Sequence, residues 1–268
     1  MVINTNISAS NSARLLAQSS AMLATSLARL SSGSKLVNPQ DDAAGAAVSL
    51  RFDAQIGRVD AASNNVASAT SFTQTQSGFL QKISGALSRM SELSISAQDV
   101  TKSNSDRGLY DKEFQTLGQY INDVANKTFN GVSLFSSAQL NVTVNEDGGT
   151  FNMAGINIGN GTAYATATGK NVTTTTLAAA ALTAVKAAIN QLSTDLATVG
   201  ANAVRLSYTS DQLSVLKQNL TAANSQIKDV DIAEESTNYA KYNILVQAGT
   251  AMLAQANVVP QSTLKLLQ

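Results

Sequence analysis

Residues 205–230 read RLSYTSDQLSVLKQNLTAANSQIKDV. Leu206, Leu213, Leu220 and Ile227 recur every seven residues, and Leu216, Ala223 and Val230 fill the second apolar position of the same heptad. Neither proline nor glycine interrupts the run. Apolar groups sustained at this spacing on good helix formers predict a long helix with one apolar seam. Such a seam is buried only against other helices, so the rest of the chain must supply partners.

Composition agrees with helix-on-helix packing. The chain has 268 residues and is 44% hydrophobic but only 5% aromatic, with no tryptophan. Large aromatics usually dominate globular cores, so their scarcity beside abundant Ala, Leu, Ser, Asn and Gln points to thin helical layers. Basic and acidic residues are equal at 18 each, which leaves no general field for nucleic acid. Only 13% of residues are charged, and a surface that neutral favours self-association. Cysteine and histidine are both absent. That excludes disulfides and thiolate metal sites, and removes the commonest general base and metal ligand together. No cofactor is expected, and the chain does not read as an enzyme.

The first dozen residues lack a basic region followed by an apolar core, so no cleavable secretory signal is expected. No run of 18 apolar residues predicts a membrane span. Residues 1–11 read as extended or frayed. From Ser12 a helix is predicted, with Leu16, Leu23 and Leu30 at one heptad position and Ser20 and Leu27 at the other, stopping near Gly33. Asn38-Pro39 reads as N-cap plus first residue of the next helix, with Asp41 and Asp42 in its first turn. Helix-start chemistry outweighs a catalytic carboxylate pair there. Phe72, Phe79, Ala86, Leu93 and Val100 then recur every seven residues, with Ile83, Met90 and Ala97 between them. A helix from about Asp41 to Val100 would span roughly 90 Å, which belongs to rods rather than compact enzymes.

A shorter helix through Tyr110, Phe114, Leu117, Ile121 and Val124 should fold back on it. At Phe129-Asn130-Gly131 the period changes. Residues 140–144 and 150–153 alternate around a turn cluster at Asn145–Gly149, a β-hairpin signal, and Ile156 with Ile158 reads as a further short strand. Residues 159–176 are rich in Gly, Ala and Thr and read as a loop. Leu182, Val185, Ile189, Leu192 and Leu196 lead through Gly200 into the opening stretch. Asp231 with Glu234 reads as a helix-starting box rather than a metal or acid–base cluster. The last helix carries Leu245, Met252 and Val259 in one stripe, with Ile244, Val246, Leu253 and Val258 beside it, and should end near Pro260. Both ends are thus amphipathic and almost uncharged. They could pair with each other and still leave much apolar surface open. Either they stay disordered until a partner arrives, or they are the assembly surface; the lack of Lys and Arg on a polar face argues against membrane insertion.

The sequence closely resembles bacterial flagellin across nearly its whole length. Ile3-Asn4-Thr5-Asn6, Leu27-Ala28-Arg29-Leu30-Ser31-Ser32-Gly33 and Asp41-Asp42-Ala43-Ala44-Gly45 look like the family's opening. Gln74-Thr75-Gln76-Ser77-Gly78, Arg89-Met90-Ser91-Glu92-Leu93 and Phe129-Asn130-Gly131 continue it. Ile227-Lys228-Asp229-Val230-Asp231, Gln247-Ala248-Gly249, Gln255-Ala256-Asn257 and Pro260-Gln261 before Leu264 and Leu266-Leu267 resemble its closing segments.

The resemblance implies a mainly α fold: a long antiparallel coiled-coil bundle with a small β-hairpin region and paired terminal helices. Residues 1–42 and 228–268 would form the inner coiled-coil domain. Residues 43–227 would form a rod-like bundle with a β-hairpin near 138–158 and a short variable loop near 159–176, which implies a nearly smooth filament. Assembly would rest on Leu16, Leu23, Leu27, Leu30, Leu245, Met252, Leu253 and Val259. The bundle seam would rest on Phe72, Phe79, Leu93, Leu206, Leu213, Leu220 and Ile227.

The implied function is the structural subunit of the extracellular flagellar filament used for swimming, secreted by the flagellar type III apparatus. The implied partners are copies of itself or other flagellins, an export chaperone, the export gate, and hook-associated and cap proteins. The resemblance extends to a patch for Toll-like receptor 5 at Arg89, Leu93 and Glu113, although Ser91 replaces an arginine usual there. The alternative reading is a hook–filament junction protein, which shares the terminal signatures. A carboxylate-dependent hydrolase is the third reading; the family's zinc-protease inserts need histidine, which this chain lacks.

Overall fold

The computed structural model describes residues 6–159 and 161–266, with side chains described as far as residue 258. The Ile3–Thr5 part of the opening motif, the side chain of Val259 and the closing residues 260–268 as side chains lie outside that range. In chain order the elements are α1 (Ile7–Ser32), α2 (Ala43–Gln98), α3 (Asn104–Ala125), β1 (Thr128–Phe129), β2 (Val132–Ser133), β3 (Leu140–Thr143), β4 (Thr150–Met153), α4 (Ala163–Thr168), α5 (Thr175–Lys228) and α6 (Ile232–Leu266). The fold is mainly α. The chain forms two compact units: one takes the chain up to Ile56 and from Asn219 on, and the other is Gly57–Gln218.

In the first unit, α1 begins at Ile7 rather than Ser12. The Ala9 N–H donates to the Asn6 side chain at 3.0 Å, so a cap placed among polar residues starts the helix before the apolar pattern does. Gly33 ends it in the left-handed conformation at φ 69°, with its N–H on the Arg29 carbonyl. The segment after it pairs with the segment before α6. Lys35 N–H donates to Lys228 O at 2.7 Å and Val230 N–H to Gly33 O at 3.1 Å.

Asn38-Pro39 does not start α2. Asp42 does, accepting from Gly45 N–H at 2.9 Å, while Asp41 accepts from the N–H groups of Val37 and Asn38 and holds the turn. The start of α2 lies against the end of α5 through a polar seam. Ser49 donates to Asn224 at 2.8 Å, and both are buried. Asn224 and Lys228 donate to Asp53 at 2.6 and 3.2 Å. Asp231 caps α6 as expected, accepting from Ala233 and Glu234 N–H. Helix α6 continues past Pro260 to Leu266, so the missing N–H removes a hydrogen bond without ending the element.

The second unit is built on two heptad helices. In α5 the seam seen at Leu206 and Leu213 extends back through Val199, Leu192 and Val185, with Asn202, Asp195, Ala188 and Ala181 at the alternate position; all are buried. In α2 the expected row of Phe72, Phe79, Ala86 and Leu93 is only one of three. Val59, Val66, Leu80 and Leu87 form a second row and Ala62, Ala69, Ile83 and Met90 a third, all buried. A helix with partners on more than one side needs that wider apolar arc. Val100 does not belong to it: α2 ends at Gln98, and Val100 is exposed in the following turn.

Arg107 on α3 closes that helix end. Its guanidinium donates to the Ala97 and Asp99 carbonyls at 2.7 and 2.8 Å, using orphan acceptors at the end of α2. Helix α3 itself opens with a Ser103–Asp106 capping box. Strands β1 and β2 turn at Asn130 (φ 49°) and Gly131 (φ 80°), as an Asn-Gly hairpin requires. They set Phe129 edge-to-face on Phe72 at 5.9 Å. Strands β3 and β4 pair Val142 with Phe151 and Leu140 with Met153, and Arg205 of α5 stacks over the Phe151 ring at 4.1 Å. Ile156 and Ile158 are buried but belong to no strand.

The expected loop at 159–176 contains α4. Buried Tyr164 donates to Asp195 at 2.6 Å, and the backbone of Thr168 approaches Gly118 on α3. The polar Thr-Ala-Gly composition hid a short helix whose one aromatic is its anchor.

Candidate assembly surface

Helices α1 and α6 lie antiparallel, with Asn6 near Ala256 and Ser26 near Glu235. In α1 the residues turned inward are Ser12, Leu16, Ser19, Leu23, Ser26 and Leu30. In α6 they are Glu235, Tyr239, Tyr242, Val246, Gly249, Leu253 and Ala256. Both sets keep alternating three- and four-residue steps, the spacing of a coiled-coil seam. Leu16, Leu23, Leu30 and Leu253 therefore spend their apolar surface inside the pair. The other heptad position in α1 is serine 19 and 26, not Ser20 and Leu27; Leu27 is 53% exposed on a flank. The apolar weight of Leu27 suggested the seam, but small serines let the helices come close.

At Gly249 the helices come close: a Cβ there would stand 3.2 Å from Leu16 Cδ1. At the other end Ser26 donates its hydroxyl to the Glu235 carboxylate and the Arg29 guanidinium lies 4.0 Å away. Glu235 lies in the first turn of α6 as expected, and it is also buried, a polar member of the seam. Sequence reading missed it because acids near an N-cap are ordinary.

The open side of the pair is apolar toward the Leu16–Gly249 end and polar toward the Ser26–Glu235 end, where Gln18, Thr25, Arg29 and Asn238 stand beside Met22. Leu15 and Met22 on α1 and Leu245 and Met252 on α6 stand one heptad apart and flank a groove along one side of the seam. Near Leu16 and Gly249 the groove has room for about 370 Å³, and near Ser26 and Glu235 about 320 Å³. Met252 is 64% and Leu245 43% exposed, so the expected Leu245–Met252 stripe faces outward, off the α1 contact. Ile244 and Val258 are exposed on the back of α6. No helix among the described residues is long and apolar enough to cross a membrane.

In the second unit Phe72, Leu93, Leu206 and Leu213 are buried and Phe79 half-buried; in the first, Leu220 and Ile227 are half-buried. Arg89 and Glu113 come together in a bidentate ion pair at 2.7 and 3.1 Å, with Glu92 at 3.0 Å on the same guanidinium. The guanidinium holds the Glu113 carboxyl below its ordinary value. Leu93 is only 2% exposed, so the three residues do not share one open patch.

Residues 3–139 match the family model of the bacterial flagellin N-terminal helical region, and residues 182–267 that of the C-terminal helical region. The flagellin of Halalkalibacterium halodurans is 33% identical over 273 residues, covering all of both chains. The flagellar filament 33 kDa core protein of Treponema phagedenis is 34% identical over 287 residues, and the flagellin of Bacillus subtilis 33% over 304, again with both chains fully covered. The crystal structure of Bacillus cereus flagellin superposes with a TM-score of 0.50 at 25% identity, covering 60% of this chain and 94% of that one. With both terminal regions matched and relatives aligned from end to end, the chain belongs to the bacterial flagellin family.

Proposed function

We propose that the chain is the structural subunit that polymerises into an extracellular bacterial flagellar filament. The observation that carries this reading is the apolar part of the open side of the α1–α6 pair, where Leu15, Leu245 and Met252 stand uncovered around the groove beside Leu16 and Gly249. Large apolar side chains left open around one groove of a helix pair mark an association surface. In this reading residues up to 42 and from 228 form the inner terminal-helix assembly domain, and residues 43–227 a rod-like helical bundle. Within the inner domain the roles divide. Leu16, Leu23, Leu30 and Leu253 hold the pair together, whereas Leu245 and Met252 meet neighbouring subunits.

The subunit is secreted through the flagellar type III gate with a chaperone on its terminal helix, and its filament ends on hook-associated and cap proteins. Full-length likeness to filament core proteins favours this over the junction-protein reading. Negative-stain microscopy before and after adding sulfate, which strengthens apolar burial, tests it. Long uniform tubes that need both termini are expected; monomers that neither polymerise nor elongate seeds would refute it. For the Arg89–Glu113 patch, receptor recognition is tested by a cell reporter assay with purified monomer, and a silent reporter removes it.

A further inference from the structure

Oxidants have few targets on this chain. It has no cysteine, histidine or tryptophan, so the thioethers of its five methionines are the side chains that a mild peroxide attacks first. Four of them lie among the residues described with side chains, and the fold sorts these four into two pairs. Met90 on α2 and Met153 on β4 are core residues of the second unit, 0% and 3% exposed. Met22 on α1 and Met252 on α6 are open, 40% and 64% exposed. Both open methionines stand at the groove of the terminal pair, Met252 with Leu15 and Leu245 beside Gly249, and Met22 beside Ser26 and Arg29.

We propose that Met22 and Met252 are a paired oxidation site through which a peroxide takes the dispersed chain out of assembly. The reaction is an oxygen transfer. Hydrogen peroxide gives one oxygen to the thioether sulfur: the S–O bond forms, the O–O bond breaks and water leaves, so the sulfur is oxidised and the peroxide reduced. Methionine brings a flexible apolar side chain to a contact, whereas its sulfoxide is polar and chiral. At Met252 the new oxygen stands where Leu15, Leu16 and Leu245 line the groove, and covering it is no longer favourable. The fold is spared, because neither sulfur lies in the α1–α6 seam or in the bundle core. In a polymer that covers the groove the same sulfurs are shielded, so the sensitivity belongs to the chain before it assembles. The inference rests on the filament reading and adds to it a control by oxidants.

Purified monomer is treated with graded hydrogen peroxide, mapped by peptide mass spectrometry and assayed for seeded elongation. Met22 and Met252 should convert to sulfoxide about tenfold faster than Met90 and Met153, following their exposure. Chains oxidised at both should show a critical concentration raised about tenfold or more, an unmoved thermal midpoint, and recovery after treatment with methionine sulfoxide reductase. A chain carrying Met22→Leu and Met252→Leu, which keep volume and apolarity, should still elongate after the same dose. Oxidised wild-type chain that elongates at the untreated critical concentration, or a double-leucine chain that loses elongation as wild type does, would overturn the proposal and leave the filament reading standing. Untreated wild-type chain that neither polymerises nor elongates seeds would sink both.

Discussion

Replacing Met252 by aspartate separates assembly from folding. Met252 stands beside the α1–α6 seam, not in it, and is 64% exposed. Fully burying a methionine contributes about 1.5–3 kcal/mol, so covering its open share in a polymer contributes about 1–2 kcal/mol. Aspartate forfeits that and places an unpaired carboxylate in the contact, at a cost of several kcal/mol after relaxation. A combined loss of about 4 kcal/mol raises the critical concentration roughly a thousandfold. The assay is seeded elongation followed by light scattering, with circular dichroism of the monomer as the folding control. The monomer should melt as wild type. Leu253→Asp, by contrast, strikes the seam and should loosen the α1–α6 pair itself. If Met252→Asp chains elongate at the wild-type critical concentration, the flanked groove is not a subunit contact and the division between inward and outward leucines fails.

Gly155→Ala should destabilise the second unit by about 1–3 kcal/mol, since overpacking forces backbone to move, and a Cβ there would stand 2.8 Å from the Ser137 carbonyl carbon; the thermal midpoint checks it. Tyr164→Phe leaves buried Asp195 with only the Gln191 amide at 2.9 Å, a loss of about 1–3 kcal/mol measurable by denaturant titration. Burial, aided by Asp195, pushes the Tyr164 phenol above its ordinary value of 10.0. The folded chain therefore holds that proton more tightly than the unfolded one. The contribution is complete below the ordinary value and is lost as pH rises past it, so the alkaline fall in stability should shrink in Tyr164→Phe. Asp106 is held below its ordinary 3.8 by the Ser103 side chain and backbone, and Asp99 by the Thr101 N–H and hydroxyl. Their contributions are present above 3.8 and fade as pH falls through the lowered values, so Asp106→Asn should flatten the acid limb of a stability profile; an unchanged limb would contradict this.

Much of the architecture was legible because its interactions are local and periodic. The heptad at Leu206–Ile227 is written in one helix and holds wherever the partner stands. The Asn145–Gly149 turn and the Asp231 cap are equally local, since each is satisfied within three or four residues. What escaped the sequence depends on two segments meeting. Helix α1 starts at Asn6, in a stretch with no apolar pattern. Serines 19 and 26 line the terminal seam because a close approach needs small side chains, and an apolarity rule chooses Leu27 instead. Asp195 and Asn202 sit inside the α5 seam, and Tyr164 reaches Asp195 from a segment whose composition reads as loop.

By itself, then, the sequence determined helix type, the heptad phase of α5, the Asn145–Gly149 turn and the uncharged character of both ends, because these follow from spacing and backbone chemistry within single segments. Only the tertiary structure decided which terminal apolar residues are already covered. Leu16 and Leu253 face a partner helix, while Leu245 and Met252, similar in hydrophobicity and adjacent on the same helical wheel, face outward. The physical reason is angular: a seam takes only part of each helix's circumference, and where it falls is set by the neighbour, through the close contact at Gly249 and the Ser26–Glu235 tie.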